Sequence, residues 1–123
     1  MKIISTPDAP PSTSPVSQAV ACNGFVFIGG QMPRDSLDGS IPVEPARQMA
    51  LTLQHCRALL HAAGSGPERV ALVTVFLTDL SIKPLVNEAF SKFFGAHRPA
   101  RNLVEVSAIG EGAIVEVAMI AAL

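Results

Sequence analysis

Charge is scarce in this chain. Asp, Glu, Lys and Arg make up only 15% of its 123 residues, against about 25% in ordinary soluble domains. The net charge is −1 and no basic block occurs, so the electrostatic footprint of a nucleic-acid binder is missing. Trp and Tyr are absent and only six Phe remain, which leaves little with which to stack bases. No apolar run approaches the ~20 residues of a membrane span, and the N-terminus lacks a charged-then-apolar leader. A cytoplasmic protein with neither membrane nor nucleic-acid partners is expected. There are only two cysteines, Cys22 and Cys56, without CxxC or other metal spacing, and reduced thiols are expected rather than a disulfide. His55, His61 and His97 also lack ligand spacing: the first two, six residues apart, do not share a helical face.

Apolar residues supply 49% of the chain. Its length fits a single domain over residues 1–123, large enough for a real core. So few charges cover a monomer's surface poorly, and self-association is expected. Lys2 to Ser5 reads as a short edge strand. Thr6 to Pro15 holds four prolines and reads as extended chain. Asn23-Gly24 between two apolar runs signals a hairpin. Glu44 to Ala63 carries an apolar stripe at helical spacing (Ala46, Met49, Ala50, Leu53, Cys56, Leu60, Ala63), with Pro45 in the first turn and Gly64 as a stop. Arg69 to Leu77 is nearly continuously apolar, which predicts a strand covered on both faces. Pro84 to Phe94 is a second helix, closed by Gly95. The expected fold class is α+β, a mixed sheet with two helices packed on one face.

The richest segment is Arg98 to Leu123, RPARNLVEVSAIGEGAIVEVAMIAAL. Two strand-like runs flank the turn Gly110 to Gly112, and this reads as a hairpin. Alternation puts Arg101, Leu103 and Glu105 on one face of the first strand and Ile114, Glu116, Ala118 and Ile120 on one face of the second. Glu105 is then expected across from Glu116, and Arg101 near Ile120. Val104, Val106, Val115, Val117 and Met119 form the expected core face. Charged groups among apolar strand residues are costly to bury unpaired. Three readings stand: a solvated polar face, an interface salt bridge of Arg101 with Glu105 or Glu116, or a pocket that binds a carboxylate and activates water. Glu105 is assigned to structure. His97 reads as a loop residue, and Gln18 and Gln31 as partners for backbone groups.

GGQMP (Gly29 to Pro33), VNEAFSKFF (Val86 to Phe94) and RPARNLVEV (Arg98 to Val106), with VTVFLTDL (Val73 to Leu80) and SPVSQAV (Ser14 to Val20), resemble the RidA/YjgF family of small enamine/imine deaminases nearly end to end. The resemblance implies a homotrimer of chorismate-mutase-like subunits, sheets inward and helices outward, with clefts between neighbours. It implies that Arg101, in the PAR motif, grips a substrate carboxylate and that Glu116 positions the attacking water. Backbone groups near Leu103 and Gly30 would line the pocket, and Asn87 would cap or bridge subunits or simply lie on the helix surface. No metal or organic cofactor is implied. The chain departs from the family pattern at Val16, where tyrosine is usual, at Gly29, where serine is usual, and at Leu103, where cysteine is usual. The pocket thereby loses two hydroxyls and a thiol, and a bulkier imine than 2-aminoacrylate is expected.

The chemistry suits these residues. A 2-imino acid offers a carboxylate and an electrophilic carbon. The planar guanidinium fork of Arg101 matches the first, and Glu116 can accept a proton from water attacking the second. The alternative is a trimer that captures small carboxylates or 2-oxo acids without turnover. A ribonuclease or translation inhibitor is disfavoured by the near-neutral charge.

Overall fold

The computed structural model describes residues 1–123. Strand β1 (Lys2–Ile4), β2 (Ala19–Cys22) and β3 (Phe25–Gln31) precede helix α1 (Pro45–Ala62). Strand β4 (Val70–Leu77), helix α2 (Lys83–Phe94), β5 (Ala100–Glu105) and β6 (Val115–Ala122) follow. All six strands form one sheet in the order β1-β2-β3-β6-β4-β5, antiparallel except for the parallel pair β4/β5. The expected α+β class and both helices are present at the expected places.

The β2/β3 hairpin turns on Asn23 (φ 51°) and Gly24 (φ 81°), the positive-φ pair that a two-residue hairpin loop requires. Helix α1 buries Met49, Leu53, Cys56, Leu59 and Leu60 against the sheet. Each of the Met and Leu side chains removed from water contributes roughly 1.5–3 kcal/mol. Burial pushes the Cys56 thiol pKa well up. Helix α2 is held more lightly, with only Val86 and Phe94 fully buried.

A second stripe on α1 is polar yet buried. Gln48, Thr52 and His55 fall four and three residues apart and so share a side of the helix. The Gln48 amide donates to the Pro42 carbonyl (2.8 Å) and accepts from the Ile114 N–H (2.9 Å). His55 Nε2 lies 2.5 Å from the Arg34 carbonyl; a carbonyl only accepts, so Nε2 carries the proton. Arg34 in turn pairs with Glu111. These contacts pin the long segment after β3 and the turn before β6 onto α1. Burial lowers the His55 pKa.

The C-terminal segment differs from its sequence reading. β5 and β6 form no hairpin. β5 returns through α2 to lie parallel to β4, and β6 inserts between β3 and β4. The physical reason lies in composition. β6 is apolar on nearly every residue and suits the centre of the sheet. β5 carries Arg101, Asn102 and Glu105, which an edge position keeps within reach of partners and water. Glu105 therefore does not face Glu116, and Arg101 is not near Ile120. The expected core face holds for Val115, Val117 and Met119, but Val106 is only half-buried and Val104 is 41% exposed.

β4 also differs. Val73, Val75 and Leu77 are buried under the helices, whereas Leu72, Thr74 and Phe76 are only half-buried on the other face. That second face has no cover within the chain. It exposes Ile3, Phe25, Phe27 and Val104, the two phenylalanines at 43% and 44%, a broad apolar surface of the kind that marks a contact site.

Candidate active site

β5 places Arg101 in register with Val73 and Leu103 in register with Val75. Val73 and Val75 are buried beneath the helices, so Arg101 and Leu103 project to the helix side. Leu103 packs on the core there. Arg101 meets α2: its Nη1 donates to Asn87 Oδ1 at 2.9 Å, and its Cζ lies 5.0 Å from the centroid of the Phe90 ring. Asn87 and Phe90, three residues apart, share a helix face, so one turn of α2 supplies both an acceptor and an aromatic platform. Phe90 packs edge-to-face on Phe94 (centroids 5.2 Å apart), which packs likewise on Phe93 (4.8 Å). The ring beneath the guanidinium is thus fixed by its neighbours.

The two ion pairs of the chain are Arg34–Glu111 and Lys92–Glu88. Arg101 therefore has no carboxylate partner within the protomer, where the alternative of a salt bridge with Glu105 or Glu116 is not realised. Glu105 instead accepts from the Leu80 N–H at 2.9 Å, tying β5 to the segment entering α2. Asn87 is more than a surface residue: it holds Arg101.

Glu116 stands elsewhere. In register with Phe76 on β4, it points to the uncovered face of the sheet and is half-buried. The β3/β6 pairing shifts between Ile28 and Gln31, and this irregularity carries Gly29 and Gly30. A β-carbon at Gly30 would lie 2.5 Å from Glu116 Oε2, so the absent side chain makes the room in which the carboxylate sits. Gly29 donates its N–H to the Gln18 carbonyl (3.0 Å). The Gln18 amide donates to the carbonyls of Thr6, Ala9 and Pro10, holding the proline-rich segment against β2. Val16 at its end is 66% exposed. The Gln31 amide donates to the Gly29 carbonyl at 3.0 Å. His97 Nε2 bonds the Val70 carbonyl at 2.7 Å, a structural tie.

Two separate groups result. Arg101, Asn87 and Leu103 gather on the helix side at the β5 edge. Glu116, Gly29 and Gly30 gather on the open side, with Val16 in the segment whose carbonyls meet Gly29. Phe90, which orients the guanidinium, was not singled out from the sequence; its spacing of three from Asn87 was the available signal. Cys22 and Cys56 are both free, and no three His, Cys, Asp or Glu side chains are arranged around a metal position.

A family profile described as Endoribonuclease L-PSP, that of the YjgF/RidA proteins, matches residues 6–123. The chain belongs to the RidA/YjgF family. Among its relatives, a RutC family protein of Pyrococcus horikoshii is 36% identical over 121 residues, covering 98% of this chain and 96% of that one. TdcF of Escherichia coli, whose name proposes a reactive intermediate deaminase, is 34% identical over 123 residues, 98% of this chain and 95% of that one. The crystal structure of E. coli TdcF with bound serine superposes with a TM-score of 0.96 at 33% identity, over 100% of this chain and 99% of that one. RidA from an Antarctic Psychrobacter gives 0.97 at 31% identity over 100% of both chains. Other RidA/YjgF relatives carry the names endoribonuclease or translation initiation inhibitor.

Proposed function

We propose that this protein hydrolyses reactive 2-enamine and 2-imine acids to 2-oxo acids and ammonia, in clefts between the chorismate-mutase-like subunits of a homotrimer. The observation that carries this reading is the state of Arg101. Its guanidinium is held from behind by an amide oxygen and an aromatic ring, with its charge unspent on any carboxylate. Holding a fork by one nitrogen leaves the other donors for a ligand, the arrangement that bidentate carboxylate binding uses. Fixing the substrate's anionic end sets the position of its C=N carbon. Glu116 accepts a proton from a water as that oxygen bonds to the carbon. The nitrogen is protonated, the C–N bond breaks, ammonia leaves, and the C–O bond becomes the carbonyl of the 2-oxo acid. Imine plus water equals product plus ammonia, with no change of redox state.

Because Arg101 and Glu116 project from opposite faces of one sheet, the cleft takes Arg101 from one copy and Glu116 from a neighbour. The uncovered apolar face supports such assembly. Val16, Gly29 and Leu103 give the cleft an apolar lining and suit it to imines bulkier than 2-aminoacrylate.

The test generates imines in place with an amino-acid oxidase and traps them with semicarbazide. Added protein is expected to lower the trapping; unchanged trapping across small and large imines contradicts the reading. Light scattering is expected to give three times the 12.9 kDa chain mass, and a stable monomer contradicts the shared cleft. A second reading, capture of small carboxylates without turnover, is favoured by the serine held in E. coli TdcF. It is distinguished by tight binding of a 2-oxo acid with no effect on trapping.

A further inference from the structure

Beside Arg101 the surface dips into a hollow of about 270 Å³ between α2 and the segment leading into β5. Its walls include Asn87, Ser91, His97, Arg98 and Arg101, and no Asp or Glu lines it. Arg98 is built like Arg101. Its Nη1 donates to the carbonyls of Gly95 (2.5 Å) and His97 (3.1 Å), and Arg101 donates through Nη1 to the Asn87 amide. Each guanidinium is therefore anchored by one nitrogen on a neutral oxygen, and neither has a carboxylate partner. The nearby acids are spent elsewhere, Glu88 on Lys92 and Glu105 on the Leu80 N–H. The α-carbons of Arg98 and Arg101 lie at most about 10 Å apart, three residues along the chain. Two fixed positive charges facing one hollow with nothing to neutralise them is an anion site with room for two anionic groups.

Resting on the deaminase reading, we infer that the substrate carries a second carboxylate and that Arg98 reads it. Arg101 holds the carboxylate next to the reacting carbon, and Arg98 holds one at the far end of the side chain. The preferred ligands are then 2-imino and 2-oxo dicarboxylates of four or five carbons. The apolar lining contributed by Val16, Gly29 and Leu103 contacts the methylene chain between the two ends. A charge-assisted hydrogen bond to a second anion is expected to favour these acids over pyruvate by about 10- to 100-fold. Because Arg98 does not touch the reacting atoms, it changes selectivity and not the chemistry of the monocarboxylate.

The test is titration calorimetry of the assembled protein with pyruvate, 2-oxobutyrate, oxaloacetate, 2-oxoglutarate and inorganic phosphate, for wild type, Arg98→Gln, Arg98→Lys and Arg101→Ala. Gln keeps a donor for the Gly95 and His97 carbonyls and Lys keeps the charge, so circular dichroism is expected to stay unchanged. The dicarboxylates are expected to bind more tightly than pyruvate. Arg98→Gln is expected to erase that preference without weakening pyruvate, and Arg98→Lys to keep part of it. If pyruvate binds through Arg101 but the dicarboxylates gain nothing, or the gain survives Arg98→Gln, the inference falls and the deaminase reading stands. If no oxo acid binds, the inference falls, while the deaminase reading stands or falls on the semicarbazide trapping assay. Phosphate bound equally by wild type and Arg101→Ala, with no dicarboxylate preference, makes the hollow a free-anion site and overturns the inference.

Discussion

Arg101 and Glu116 occupy opposite faces of a single sheet. The arginine is in register with Val73 on the helix side, and the glutamate is in register with Phe76 on the open side. A protomer alone cannot aim both at one substrate. The chemistry proposed for them therefore requires a second copy, and the uncovered face of the sheet exposes Phe25 and Phe27.

The Phe90 ring under Arg101 is expected to matter through the direction of the guanidinium. Phe90→Leu keeps an apolar residue but removes the π face, and cation–π contacts are worth about 0.5–2 kcal/mol. KM for an imino acid, or Kd for a 2-oxo acid, is expected to rise roughly 2- to 30-fold with kcat little changed, and Phe90→Tyr is expected to restore it. An equal effect in an Arg101→Ala background would make Phe90 a packing residue only.

Gly30 and Gly29 are expected to respond differently to a side chain. A β-carbon at Gly30 overlaps the Glu116 carboxylate, while one at Gly29 meets the Gln18 and Ser17 carbonyls at 3.4 and 3.7 Å, ordinary contacts. Gly30→Ala moves a half-buried side chain and not backbone, so activity is expected to fall at least about tenfold while the melting temperature shifts little. Gly29→Ser is expected to fold normally and restore one of the missing hydroxyls. Activity retained in Gly30→Ala would remove Glu116 from the mechanism.

Much of this architecture was legible in the sequence. Asn23-Gly24 announced its hairpin, Pro45 and Gly95 bounded helices, and the apolar stripe of α1 found Met49, Leu53, Cys56 and Leu60 of its buried face, although Ala46 and Ala50 are exposed and Leu51 and Leu59 take their share of the core. Local signals failed where pairing is non-local. Nothing in RPARNLVEV or AIVEVAMIAAL says whether two neighbouring strands pair with each other or separately with β4. The polar content of β5 and the apolar content of β6 decide it only once edge and centre are known. The same non-locality hid the relation of Arg101 to Phe90, and of Gly30 to Glu116. The buried polar stripe Gln48, Thr52 and His55 was masked because its partners lie in segments without regular structure.

His55 gives the fold a signed pH dependence. It is 1% exposed, and burial holds its pKa below the ordinary value of 6.5. The unfolded chain binds a proton at that ordinary value while the folded chain resists until lower pH. The stabilisation is therefore complete above pH 6.5 and is lost as pH falls through that value toward the depressed folded pKa. Urea unfolding is expected to show a midpoint that declines on acidification through this window. In His55→Asn the decline is expected to flatten, by about one proton's contribution. An identical slope in the variant would assign the decline to other groups.

Mixing two inactive variants tests the shared cleft most directly. Arg101→Ala and Glu116→Gln are each expected to leave imine trapping by semicarbazide unchanged from the protein-free control. Unfolded together in equal amounts and reassembled, they are expected to regain about a quarter of wild-type activity, the share of clefts in a random closed ring that unite an intact arginine with a neighbour's intact glutamate. A reassembled mixture no more active than either variant alone, or full activity in Arg101→Ala by itself, would contradict it.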